Sequence, residues 1–224
     1  FTSDLVCDFH QLQADILRAA APDKFITHNL MGLCAKPDYY ELGRQLDFAC
    51  QDQYPAGHFL ARHNCYQAEI NAAEVDMIRG VKQKPFWVME QQSGITGWEI
   101  LGRAPQPGQI PLWAMQSVAH GADYVSFFRW RTCTMGTEIY WHGILDYDSR
   151  DNRKLAEVKR FTGLLEKIAP VCGADYTAAF AILEDYDNEW DTRLDAWHRR
   201  VYQASKDGLF EASARNHLPY DMVY

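Results

Sequence analysis

The chain has 224 residues, 47% of them hydrophobic and 23% charged, so it can bury a core and is not a disordered tail. Its 22 Lys+Arg against 30 Asp+Glu leave a formal net charge of -8, without the basic footprint that a nucleic-acid backbone requires. No run approaches the roughly 18 consecutive apolar residues that span a bilayer, and Phe1-Thr2-Ser3-Asp4 lacks the charged start and apolar run of a secretory signal, so neither nucleic acid nor membrane is expected as a partner.

Leu5, Phe9, Leu12, Ile16 and Leu17 recur at helical spacing up to Ala19-Ala20-Ala21-Pro22, which stops the helix. Because the chain opens on Phe1 and already reads as helix, its natural start is expected upstream. Phe25-Ile26-Thr27 reads as a short buried strand ending in the polar His28-Asn29. The pattern repeats with a helix over Tyr39 to Leu46, an apolar Phe48-Ala49-Cys50 and the polar Gln51-Asp52-Gln53-Tyr54-Pro55. A third unit has a helix from Ala68 to Arg79, a strand over Pro85 to Met89 and the loop Glu90-Gln91-Gln92-Ser93-Gly94. The fourth has a helix from Leu112 to Ala119, a strand over Tyr124 to Phe128 and a long polar-aromatic loop from Arg129 to His142. A charged helix from Asn152 to Lys167 ends at Ala169-Pro170. Beyond it come a strand over Ala178 to Leu183, the acidic Glu184 to Asp187, one long helix holding Trp190, Leu194, Trp197, Val201 and Leu209, and a last strand from Tyr220.

Four helix-then-strand units, each strand ending in polar and aromatic residues, predict an α/β sheet with its functional rim at the strands' C-terminal ends. A (β/α)8 barrel is the first choice, since no G-x-G-x-x-G or G-x-x-x-x-G-K-[ST] follows any strand to bind a nucleotide in a doubly wound sheet. A whole barrel takes about 250 residues, so only about the last four βα units are expected here, in residues 1–169, with the first half N-terminal to them. Residues 170–224 then begin a second α/β domain.

The six cysteines at 7, 34, 50, 65, 133 and 172 form no C-x-x-C pair and read as buried free thiols. His58 and His63 are too far apart for ligands on adjacent helical turns, and no metal or other cofactor is expected. Glu90 closes the apolar run Phe86-Trp87-Val88-Met89, where barrel enzymes carry catalytic groups, although a salt-bridged rim glutamate fits the same position. Trp98, Trp113, Trp130 and Trp141 concentrate indoles in the same half of the chain, and indole faces either fill cores or stack on the C–H faces of sugars. Glu138 and His142 add acceptors and donors suited to vicinal hydroxyls, so carbohydrate is the ligand class that fits best.

These motifs carry a family resemblance. The stretch Phe86 to Gly94, then Trp98, Ala119-His120-Gly121-Ala122-Asp123 and Phe128-Arg129-Trp130-Arg131, resembles the β-galactosidases of glycoside hydrolase family 42. His28-Asn29-Leu30-Met31-Gly32 and Asp52-Gln53-Tyr54-Pro55 are similar to that family's loops after its fifth and sixth strands, and Ala181 to Tyr186 to the opening of its flavodoxin-like trimerisation domain. The resemblance implies a retaining mechanism, with Glu90 as nucleophile, Tyr54 as a hydrogen-bond donor to it, Trp98 as the sugar-stacking indole, and Glu138 and His142 as ligands to galactose hydroxyls. Many members place that histidine one residue nearer the glutamate.

The family's acid/base glutamate follows an asparagine after the fourth strand, and the only Asn-Glu pair here, Asn188-Glu189, lies beyond the barrel and reads as a loop feature. The nucleophile is therefore expected without its acid/base, and the zinc-binding cysteines of some members are expected in the other half. The resemblance further implies a β-galactoside substrate, a homotrimeric parent protein and a cytoplasmic, bacterial setting. A non-catalytic carbohydrate-binding or assembly module, or a related β-glycosidase such as an α-L-arabinopyranosidase, is the alternative.

Overall fold

The computed structural model describes residues 1–56, 68–98, 102–195, 197 and 201–224. His58, His63, Cys65 and part of the stretch joining Leu194 to Val201 lie outside the described residues. The order is α1 (Thr2–Ala20), β1 (Asn29–Leu30), α2 (Tyr39–Gly43), β2 (Cys50–Gln53), α3 (Ala68–Lys82), β3 (Phe86–Gln92), α4 (Gln109–Ala119), β4 (Ala122–Phe128) and α5 (Arg153–Ile168), then a 3₁₀ turn at Ala169–Val171. After it come β5 (Phe180–Leu183), α6 (Tyr186–Leu194), α7 (Val201–Arg215) and β6 (Tyr220–Val223). The first four strands follow the sheet order β1-β2-β3-β4, and β5 pairs with β6 in a separate two-stranded sheet. Asn29 pairs with Cys50 and Leu30 with Gln51 in parallel, and Phe180 to Leu183 pair in parallel with Tyr220 to Val223. The fold is α/β with parallel strands.

Every predicted helix-then-strand unit forms, but the first two strands are displaced. Phe25-Ile26-Thr27 does not enter the ladder because Asp47 takes both backbone groups of Ile26, whose carbonyl accepts from Asp47 N at 2.9 Å. Ile26 N donates to Asp47 Oδ2 at 2.6 Å, and Thr27 Oγ1 to the Phe48 carbonyl at 2.8 Å. Pairing starts two residues later, at Asn29, opposite a strand built of Cys50-Gln51-Asp52-Gln53 rather than Phe48-Ala49-Cys50. Gln51 and Gln53 are buried there, so polarity misplaced the strand as a loop. The second helix stops at Gly43 instead of Leu46, continuing only as single turns in which Gln45 N and Leu46 N bond the Leu42 and Gly43 carbonyls. The single helix expected from Trp190 to Leu209 is two: Asp195 is extended, with φ −68° and ψ 115°, and its Oδ1 accepts from Trp197 N at 2.7 Å in a side-chain turn that ends α6. Asn188-Glu189 lies inside α6 rather than in a loop, because Asp185 caps that helix by accepting from the backbone N–H groups of Asp187 and Asn188.

One compact unit comprises Phe1–Gln51, Ala68–Phe86 and Tyr176–Tyr224. Within it α1 forms as predicted but buries a different edge. Ser3, Cys7 and Ala14 are buried, whereas Leu5, Phe9, Leu12, Ile16 and Leu17 are each more than half exposed. The small edge faces the start of α2 and the turns after it: Ser3 Oγ accepts from Asp38 N at 2.8 Å, Gln45 Nε2 donates to the Cys7 carbonyl at 3.2 Å, and Ala14 packs with Ile26 and Leu46. Buried Arg79 of α3 ties in the C-terminal strand. It bonds Asp76, reaches Asp221 Oδ1 at 3.2 Å and the Tyr220 carbonyl at 2.7 Å, and lies 3.6 Å over the Tyr176 ring. Buried Lys206 of α7 lies between the carboxylates of Glu184 and Glu189.

The other unit comprises Asp52–Gln67 and Trp87–Asp175. Here α5 starts where Asn152 accepts from Leu155 N at 3.1 Å. Leu155 joins Ile144 and Leu145 in a small apolar core on which Phe127 of β4 packs. The thiols of Cys7, Cys34, Cys50, Cys133 and Cys172 are all free, but only Cys7 and Cys50 are buried and Cys172 is exposed. Among the described residues no helix is long and apolar enough to cross a membrane.

Candidate active site

Four of the five predicted site residues sit in loops after strands of the second unit, and the fifth, Glu90, is in a strand. Glu90 is the fifth residue of the seven-residue β3, not the first of a loop. Phe86 and Val88 bury their side chains on one face of that strand, and Gln91 and Gln92 are buried at its end. The backbone of Glu90 is therefore fixed while its carboxylate stays half-buried.

Tyr54 directly follows β2, and its hydroxyl donates to Glu90 Oε2 at 2.5 Å. At that separation the hydroxyl and the carboxyl oxygen make a short hydrogen bond. Burial drives the Tyr54 phenol far above the ordinary tyrosine range, and the adjacent Glu90 carboxylate raises it further, with smaller contributions from Asp52 and Glu138. Both effects favour the protonated phenol, which can donate to Glu90.

Two side chains tie the strand-end loops together around this pair. Gln92 Oε1 accepts from Ala56 N at 2.8 Å and its Nε2 donates to the Gly94 carbonyl at 2.8 Å, so one buried amide joins the loop after β2 to the loop after β3. Ser93 Oγ donates to the Phe128 carbonyl at 2.8 Å, which joins the loop after β3 to the end of β4. The peptide bond between Phe128 and Arg129 is cis. Sequence reading missed Gln92 and Ser93, because nothing local signals a partner some 35 residues away; only their place beside Glu90 could have drawn attention to them.

Trp98 is half exposed and meets Tyr54 edge to face, with ring centroids 5.4 Å apart. Trp141, singled out in the sequence only as one of several indoles, completes the corner at 5.1 Å from Tyr54 and 5.0 Å from Trp98. Glycine permits this approach. A Cβ on Gly97 would lie 2.2 Å from Trp141 Cδ1, and one on Gly94 would lie 2.3 Å from the His142 carbonyl oxygen.

Glu138 and His142 stand on the long loop after β4 with partners of their own. Glu138 is exposed and pairs with Arg129 Nη1 at 2.9 Å, while Arg129 Nη2 also donates to its backbone carbonyl at 3.0 Å. His142 sets Nδ1 3.7 Å from Asp146 Oδ1 and its ring 5.3 Å from that of Tyr147. Burial opposes ionisation of Asp146, but Lys154, 2.6 Å away, and His142 hold its carboxyl below the usual range. The structure thus gathers Tyr54, Glu90 and Trp98 into one cluster, with Glu138 near enough for its charge to act on Tyr54. His142 has its contacts with Asp146 and Tyr147. Among the described residues no group of three or more His, Cys, Asp or Glu side chains is placed to hold a metal ion.

A rigidly held carboxylate with a buried phenol donor, beside exposed indole surface, suits nucleophilic chemistry on a sugar. Comparison with known proteins points the same way. Residues 1–168 match the glycoside hydrolase 42 family model, described as beta-galactosidase. The β-galactosidase of Thermus thermophilus is 38% identical over 202 residues, covering 85% of this chain and 31% of that protein. The solved structure of the polyextremophilic β-galactosidase from the Antarctic haloarchaeon Halorubrum lacusprofundi superposes with a TM-score of 0.88 at 32% identity, over 99% of this chain and 34% of that one. The β-galactosidase from Bacillus circulans sp. alkalophilus also gives a TM-score of 0.88, at 26% identity over 99% of this chain and 32% of that one. The chain belongs to the glycoside hydrolase 42 β-galactosidase family, and it spans about a third of the length of these relatives.

Proposed function

We propose that this chain carries the nucleophile half of a retaining β-galactosidase site acting on terminal non-reducing β-D-galactosyl residues. The observation that carries the reading is the 2.5 Å bond from Tyr54 to Glu90 beneath the indole corner, in a chain of this family. A Glu90 oxygen attacks the anomeric carbon as the aglycone oxygen departs with the bonding electron pair, leaving a galactosyl ester. The acid/base gives the departing oxygen its proton and then takes one from the water that attacks the same carbon, so galactose leaves and the carboxylate is regenerated. Tyr54 holds the attacking carboxylate in one orientation, Trp98 stacks on the C–H face of the sugar, and Glu138 and His142 take its hydroxyls.

The acid/base is proposed to come from outside these 224 residues. Glu189, the one glutamate that follows an asparagine, is buried against Lys206 and Arg193. The sequential strand order β1-β2-β3-β4 supports residues 1–169 as half of a (β/α)8 barrel, since doubly wound sheets reverse order at a switch point. The separate parallel pair β5 and β6 supports residues 170–224 as the start of a second α/β domain, which we propose to be the trimerisation domain of a cytoplasmic homotrimer.

The test is mass spectrometry after incubation with 2,4-dinitrophenyl 2-deoxy-2-fluoro-β-D-galactoside. Its leaving group departs without an acid, and its fluorine slows release of the sugar. The chain is assayed alone and in a chimera where it replaces the matching segment of the Thermus thermophilus β-galactosidase. A fluorogalactosyl adduct on Glu90 is expected in the chimera, and no adduct in either setting overturns the reading in favour of a non-catalytic carbohydrate-binding module. Replacing Tyr54 by Phe removes one bond to a charged group, so labelling should slow by about 10- to 100-fold with the adduct still on Glu90. Labelling at an unchanged rate would show that the phenol does not set the carboxylate's reactivity.

A further inference from the structure

Trp141 is not among the residues that the family resemblance marks for the sugar, yet its indole meets both Tyr54 and Trp98. It meets Tyr54 at 5.1 Å and 72°, Trp98 at 5.0 Å and 82°, and Phe128 at 6.0 Å and 88°. Three near-perpendicular contacts leave the ring little rotational freedom, because any turn that improves one edge-to-face contact spoils another. The backbone on either side is anchored as well: Trp141 N donates to the Glu138 carbonyl at 3.1 Å, and His142 N to the Ile95 carbonyl at 3.0 Å. Gly97 provides the seat, since a side-chain carbon there would collide with the indole.

The two rings that Trp141 braces have different tasks. Trp98 is half exposed, so its orientation rests on the rings at its edge rather than on burial. Tyr54 is buried and bonded to Glu90, so a tilt of its ring moves the donor away from the carboxylate. We propose that Trp141 is a positioning residue that fixes both the plane of Trp98 and the phenol of Tyr54, coupling sugar binding to the aim of Glu90. The proposal rests on the galactosidase reading above. The residue adjoining His142 thus braces the cluster, while His142 itself contacts Asp146 and Tyr147.

The test is the concentration dependence of labelling by the same fluorogalactoside, in the chain and in the Thermus chimera, which separates the apparent affinity KI from the limiting rate ki. Trp141→Ala is expected to weaken KI by about tenfold and to slow ki by about tenfold, because a packed ring stops defining two neighbours. Trp141→Phe should restore both to within about threefold, since a phenyl ring keeps an edge toward Trp98 and Tyr54. Gly97→Ala keeps every ring but displaces Trp141, and should reproduce the alanine defect in both constants. Met135→Ala, at an 80% exposed position on the same loop, should change neither.

A purely structural tryptophan would lower the fraction of protein that labels and its melting temperature, while the fraction that labels kept its KI and ki. That result in Trp141→Ala, or unaltered constants in Gly97→Ala, overturns the proposal and leaves the galactosidase reading intact. Absence of any Glu90 adduct on the unsubstituted protein in both settings overturns the two together.

Discussion

Glu90→Gln should remove glycosyl-enzyme formation altogether and lower turnover of p-nitrophenyl β-D-galactoside in the Thermus chimera by about 10⁴-fold or more, as expected for loss of a nucleophile. The amide has the carboxylate's shape, can still accept from the Tyr54 hydroxyl, and sits where the backbone is held by β3. Stability should therefore change by no more than about 0.5 kcal/mol, so a loss of turnover reports chemistry rather than unfolding. Sugar affinity should persist, because Trp98, Glu138 and His142 are untouched. Unaltered turnover would reduce Glu90 to a rim carboxylate and sink the mechanism. Running matched nitrophenyl glycosides beside it decides the substrate class: a clear preference for the α-L-arabinopyranoside over the galactoside would move the chain to a related β-glycosidase.

The largest stability effect is expected at Lys206, in the unit that does not contain Glu90. Its ammonium lies 2.9 and 3.1 Å from the two oxygens of Glu184 and 3.1 Å from Glu189 Oε2, with all three residues buried. Burial disfavours the lysine's charge, but the two carboxylates outweigh it and hold the ammonium protonated above the usual lysine range. Burial likewise pushes the Glu184 carboxyl up, against the pull of Lys206.

Lys206→Met leaves the buried Glu184 without its cation and Glu189 with only the more exposed Arg193. It should cost about 3–5 kcal/mol in urea denaturation at neutral pH, since breaking a buried ion pair strands its partner. The melting temperature should fall by about 10 °C for a domain of this size.

The pH dependence has a definite sign. The Lys206 contribution is complete below the unfolded lysine pKa and is lost only as pH rises through the still higher folded value, so acid does not remove it. In the variant, however, acid protonates Glu184, and a carboxyl whose folded pKa is raised gains relative stability as pH falls. The gap between parent and variant should therefore narrow toward acid. Adding Glu184→Gln and Glu189→Gln to Lys206→Met should recover most of the loss. A cost under about 1 kcal/mol for the single change would show that the three groups are solvated and loosely held.

Much of this was legible in the residues. The helices α3, α4 and α5 and the strand β3 follow from apolar periodicity and from stops such as Ala169-Pro170, and these are local features whose physical causes lie within one or two turns of chain. Glu90 stood out because it closes an apolar run, and the ordered motifs around it were enough to indicate the family. Tyr54 could be named as its donor only through that resemblance.

What tertiary structure alone decided involves partners distant in sequence. The strands at 29–30 and 50–53 exist where parallel pairing meets a partner, so Phe25-Ile26-Thr27 lost to Asn29-Leu30 once Asp47 and Phe48 took its polar groups. The apolar stripe of α1 forms at the predicted spacing, yet the small edge of Ser3, Cys7 and Ala14 is what packs, because close approach to the start of α2 requires small side chains. Likewise nothing in the local text separates Trp141 from the other indoles. A tryptophan's apolar area is a property of the residue, but its contacts with Tyr54 and Trp98 and its seat on Gly97 exist only once strand-end loops far apart in sequence are folded together.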